Sequence, residues 1–108
     1  MKPVSISQDQ FTDEVINSNI PVLVDFWADW CQPCKQLGGM LEKIGERRNG
    51  HSKIVKIDTM QANELASNLG ISTLPTVIMY KNGRVVDSIV GLRKEKEYEA
   101  LLDSAEGL

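Results

Sequence analysis

The chain has 108 residues, of which 42% are hydrophobic and 25% charged. That length and balance describe a single globular domain over residues 1–108 and exclude a disordered, collagen-like or disulfide-dense chain. With 12 Lys+Arg against 15 Asp+Glu the net charge is -3. No basic field exists to hold a nucleic-acid backbone or an anionic membrane, so neither is expected as a partner.

The first residues, Met1 to Gln8, lack the apolar core of a signal peptide, and the longest apolar stretch is far short of a membrane span; a cytoplasmic protein is expected. Phe11, Val15 and Ile16 then recur at helical spacing, which predicts a helix over Gln8 to Asn17 behind Ser7 as its cap. Ile20 to Ala28 is a near-continuous run of β-branched and aromatic residues, the pattern of a central strand covered on both faces. Leu37, Met40, Leu41 and Ile44 follow at i, i+3, i+4, i+7 and predict a helix ending at Arg47-Arg48-Asn49-Gly50. Lys53 to Asp58 reads as a second strand. Leu65, Ala66 and Leu69 mark a short helix stopped by Gly70. Thr76 to Lys81 and Arg84 to Val90 are strands joined by Asn82-Gly83, the strongest short hairpin signal, because a type I′ turn needs positive φ at both central positions. Tyr98, Leu101, Leu102 and Ala105 form the apolar stripe of a last helix.

This order predicts an α/β chain. The first two strands and the helix between them make a right-handed βαβ unit with parallel strands. The final hairpin is antiparallel, so the sheet is mixed and central, with helices on both faces.

The only cysteines are Cys31 and Cys34. A disulfide closing so small a loop constrains the unfolded chain little, and a structural one does not persist in a reducing cytosol. The pair is therefore redox chemistry, metal ligation or coincidence. A metal site needs about four ligands, and only His51 could add a nitrogen, so no metal is expected. Cys31 follows the end of the buried strand and opens a helix, where unpaired backbone N–H groups and the helix dipole favour a thiolate. The dipole contributes roughly 0.3–1 kcal/mol, less than about one pKa unit, so fuller activation requires hydrogen bonds as well. Cys34 lies on the same helix face, and Pro33 fixes a helical φ where its missing N–H is not needed.

The segment Val24-Asp25-Phe26-Trp27-Ala28-Asp29-Trp30-Cys31-Gln32-Pro33-Cys34-Lys35 closely resembles the active-site signature of the thioredoxin family. The likeness continues through Leu74-Pro75-Thr76 and Tyr80-Lys81-Asn82-Gly83 to Val90-Gly91, so it spans essentially the whole chain. It implies the thioredoxin fold and a thiol–disulfide oxidoreductase that reduces protein disulfides by cycling between a Cys31/Cys34 dithiol and disulfide. It implies that Asp25, which is costly to bury, accepts the proton of Cys34, and that Lys56 faces that carboxylate. It implies a cis bond before Pro75 and a client surface of Trp30, Gln32, Pro33, Thr73, Leu74, Pro75, Val90 and Gly91. No bound cofactor is implied; electrons would come from NADPH through a flavin-containing thioredoxin reductase. The expected partners are that reductase and disulfide-containing client proteins, and the expected state is a monomer.

Three positions depart from the family pattern. Gln32 replaces the glycine most common between the cysteines, Gly38-Gly39 falls where a kink-forming proline is usual, and Thr73 replaces a glycine before the cis-proline. Two other functions fit the same residues: a disulfide oxidase or isomerase, and a binding module that holds a partner through Trp30, Leu74 and Gly91 without turnover.

Overall fold

The structure, a computed structural model, describes residues 1–107. Five strands form one sheet: β1 (Val4–Ser5), β2 (Val22–Trp27), β3 (Lys53–Asp58), β4 (Thr76–Lys81) and β5 (Arg84–Val90), in the order β1-β3-β2-β4-β5. Three helices accompany them: α1 (Gln32–Arg47), α2 (Asn63–Asn68) and α3 (Glu95–Glu106). β2 runs parallel to β3 and antiparallel to β4, and β4 runs antiparallel to β5. This is the mixed sheet with a parallel βαβ half and an antiparallel hairpin half that the sequence predicts.

The alternation of β2 decides what lies beneath α1. Val22, Val24 and Phe26 enter one core layer with Phe11, Val15 and Tyr80. Leu23 enters the other, with Leu37, Leu41 and Ile44 of α1 and Tyr98 and Leu102 of α3. Successive strand residues face opposite sides, so Asp25 shares the face of Leu23, under α1 and α3. By the same rule Lys56 shares the face of Ile54, which belongs to that layer. Truncating a fully buried residue there, such as Leu41, costs about 2–5 kcal/mol.

The hairpin turns as the sequence predicts. Asn82 and Gly83 have φ of 54° and 76°, the pair of positive values that fits a type I′ turn to twisted strands. A Cβ on Gly83 would stand 2.9 Å from the Ile16 carbonyl, so close approach also demands glycine. A bulge interrupts the β4–β5 register between Met79 and Tyr80.

Three expectations change. The helix over Gln8 to Asn17 is not an α-helix: a 3-10 turn covers Gln8–Gln10 and a wide π-type segment covers Thr12–Ile16, where Asn17 N–H bonds the Thr12 carbonyl at 2.9 Å. Tertiary contacts override local propensity here. Phe11 packs edge-on against Tyr80 at 5.7 Å, and Gln8 Oε1 accepts the Leu65 N–H of α2 at 2.8 Å. The first long strand begins at Val22 rather than Ile20, because Pro21 has no N–H to give the ladder. Strand β1 has no counterpart in the sequence pattern; its two residues are exposed, yet they pair in parallel with Val55 and Lys56. No helix among the described residues is long and apolar enough to cross a membrane.

Candidate active site

The site is built where β2 ends. Cys31 N–H bonds the Ala28 carbonyl at 3.1 Å, which turns the chain out of the sheet. Cys31 is the N-cap of α1, with extended backbone, and Pro33 stands in the first turn. The Cys34 N–H donates to Cys31 Sγ at 3.2 Å, so one of the helix's orphan donors aims at that sulfur as the sequence argument requires. No acidic side chain occupies the first turn, so nothing competes with sulfur for the positive end of the helix. Cys31 and Cys34 are joined by a disulfide, with Cα atoms 5.3 Å apart. Both are buried, and Trp30, Gln32 and Pro33 around them are exposed.

Asp25 lies below. Its side chain is wholly out of water, and neither carboxylate oxygen has a hydrogen-bond partner among the described residues. Burial raises its pKa from 3.8 to about 7, partly opposed by the positive charge of Lys56. Asp25 and Lys56 are direct neighbours in the β2–β3 register. They do not form an ion pair, however: the Lys56 Nζ lies 4.9 Å from the centre of the Trp27 ring and 3.5 Å from where a Gly38 Cβ would stand. The ammonium is drawn to the ring face and the open helix position, and acts on Asp25 through space. Half-buried Trp27 is thus a seat for that charge.

Of the residues expected to meet clients, those beside β4 and β5 gather at one end of the sheet. Phe26 pairs with Thr76, and Thr76 with Val90, so the ends of β2 and β5 flank the start of β4. The Leu74–Pro75 bond is cis. The Pro75 carbonyl accepts the Gly91 N–H at 2.8 Å, and the Thr73 carbonyl accepts the Thr76 hydroxyl. Gly91 has φ of 82°. Thr73 and Val90 are exposed, Leu74 and Gly91 are half-buried, and Pro75 is buried.

Sequence reasoning missed two features. Trp30 and Leu74 border a shallow cleft of about 300 Å³ that continues over Met60, Ala66 and Ile71. Met60 is 65% exposed, a large apolar side chain outside any periodic segment; that isolation is the signal that could have marked it. The Tyr98 hydroxyl bonds both the Arg93 N–H and the Gly91 carbonyl, whereas its place in an apolar stripe suggested packing alone.

A disulfide at a strand-to-helix junction, on a helix that packs over the sheet layer of a buried acid, defines an α/β protein with a two-cysteine redox centre. Comparison with known proteins gives the family. The thioredoxin family model matches residues 2–104. Mitochondrial thioredoxin of Bos taurus is 46% identical over 92 residues, covering 85% of this chain and 55% of that protein. Thioredoxin of Porphyra purpurea is 36% identical over 103 residues, covering 95% and 96%. A mutant thioredoxin from Halobacterium salinarum NRC-1 superposes with a TM-score of 0.88 at 33% identity, covering 99% of this chain and 93% of that one. The chain belongs to the thioredoxin family. It spans little more than half the length of the mammalian mitochondrial relatives it matches.

Proposed function

We propose that this chain is a thiol–disulfide oxidoreductase that reduces disulfides in client proteins. The observation that carries the proposal is the Cys31–Cys34 disulfide at the N-terminus of α1, on the helix that covers the buried, unpartnered Asp25. In the reduced form Cys31, supported by the helix terminus and the Cys34 N–H, attacks one client sulfur as a thiolate. A mixed disulfide forms, and the other client sulfur leaves as a thiolate and takes a proton. Cys34 then gives its proton to Asp25, directly or through water, and attacks Cys31 Sγ. The second client sulfur departs, leaving a reduced client and the internal disulfide. A carboxylate raised to about 7 suits this proton transfer, since a general base works best with a pKa near the working pH.

Trp30, Gln32, Pro33, Thr73, Leu74, Pro75, Val90 and Gly91 form the client face in this reading. An NADPH-dependent flavoprotein reductase restores the dithiol, and the protein works in the cytoplasm as a monomer. The relatives named thioredoxin support the activity, and the site chemistry supports the order of steps. The test is Cys34→Ser incubated with a disulfide client: a covalent adduct through Cys31 accumulates, because nothing resolves it. Absence of an adduct would reject the roles given to the two cysteines.

A further inference from the structure

The turn that leaves β5 is tied down from behind. Tyr98, fully buried in α3, accepts the Arg93 N–H at 3.0 Å and donates its hydroxyl to the Gly91 carbonyl at 3.3 Å. Gly91 in turn bonds Pro75 through its own N–H. One hydroxyl therefore fixes the Gly91–Arg93 turn against α3 while the turn itself holds the Pro75 loop. The consequence falls on Arg93. Its Nη1 lies 3.8 Å from where a Gly91 Cβ would stand, so the guanidinium rests beside Gly91 at the border of the client face. Arg93 is exposed and has no ion-pair partner among the described residues. Of the carboxylates that follow, Glu95 pairs with Arg47 at 3.1 Å, and exposed Glu97 accepts the Lys94 N–H at 3.2 Å rather than pairing with Arg93. Lys94 and Lys96 add two more exposed cations to this edge. Strand order places β3 and β5 on opposite sides of β2, and Asp58 ends β3 while exposed Asp29 precedes Trp30.

We propose that Arg93 is a client-specificity residue, favouring disulfides flanked by an Asp or Glu side chain, and that Tyr98 is the positioning residue that holds it there. This rests on the reductase reading above and adds the chemistry of the preferred client. A guanidinium presents a planar fork that matches a carboxylate. An exposed pair of this kind is weak, so it biases choice among clients rather than enabling exchange.

The test uses three disulfide-bonded peptides, with an acidic, a neutral or a basic residue next to the cystine, and dithiothreitol as electron donor. At low ionic strength the wild type is expected to turn over the acidic peptide about three-fold better than the neutral one in kcat/KM, with the difference fading in roughly 0.5 M salt. Arg93→Glu, on an exposed position, inverts the order in favour of the basic peptide. Tyr98→Phe keeps the order but shrinks the ratio, a readout that loss of stability alone does not move. Equal ratios in wild type and Arg93→Glu, with all three peptides still reduced, would overturn this proposal and leave the reductase reading standing. Reduction of none of them by the wild type would overturn both.

Discussion

Asp25 and Glu106 both lie almost out of water, and the chain treats them in opposite ways. Glu106, at the end of α3, accepts from Arg48 at 3.1 Å and from the buried Ser52 hydroxyl, and Arg48 also reaches Asp103 at 2.7 Å. Asp25 has the buried register neighbour Val77 on one side and Lys56 on the other, yet neither of its oxygens is bonded. α1 links the two regions: its N-terminus carries the cysteines, its body packs over the sheet layer of Asp25, and Arg48, just past its last residue, holds Glu106. A carboxylate given every partner fastens one element to another. A carboxylate denied them is pushed toward neutrality and becomes able to take and return a proton near pH 7.

The contrast breaks most visibly if Asp25 loses its charge. With its pKa near 7 in the native state and at the ordinary 3.8 in the unfolded chain, the native state binds the extra proton between those values. The stability associated with Asp25 is thus fully present below about pH 4 and lost as pH rises through 7. Three pKa units correspond to roughly 4 kcal/mol. Urea unfolding of Asp25→Asn beside wild type is expected to show the variant gaining about that much, relative to wild type, between pH 4 and pH 8, while resolution of the mixed disulfide slows. A pH-independent difference would show that Asp25 titrates normally.

At the other end, Arg48→Ala strips Glu106 and Asp103 of their cation. Losing hydrogen bonds to charged groups costs about 1.5–3 kcal/mol, so thermal or urea unfolding should register a loss of about 2 kcal/mol with the rate of disulfide exchange unchanged. Lys56→Met sharpens the comparison from within the site. Lys56 lowers the Asp25 pKa by less than burial raises it; without that charge the midpoint of the pH–rate profile for mixed-disulfide resolution moves upward. The smallest effect belongs to Gly39→Ala, midway along α1. A Cβ there meets nothing within 4 Å, and alanine in a helix interior is about 0.5–1 kcal/mol better than glycine, so the melting temperature should rise slightly.

How much of this could be read from the sequence depends on where the information is local. Lys53–Asp58, Thr76–Lys81 and Arg84–Val90 were legible to the residue because turn chemistry and apolar runs bound them. The α1 stripe of Leu37, Leu41 and Ile44 was legible from its period. The segment from Gln8 to Ile16 was misread in detail because its geometry is set by Tyr80 and Leu65, more than fifty residues away. In the site, the cysteine pair announced itself and Asp25 stood out as the one charge in an apolar run. The position of the Lys56 ammonium could not be foreseen, since the attraction of the Trp27 ring and the room at Gly38 exist only in three dimensions. The Tyr98 clasp was hidden for a related reason: a tyrosine in an apolar stripe says nothing about where its hydroxyl ends.

The bulge between Met79 and Tyr80 has a bearing on colloidal behaviour. β5 is an outer strand with Val85, Val86 and Val90 in the open, the kind of ribbon on which other chains can add and grow into fibres. A break in the ladder twists the strand and spoils the even spacing of its free amides and carbonyls. The exposed valines of β5 are in this way left on a poor template for self-assembly.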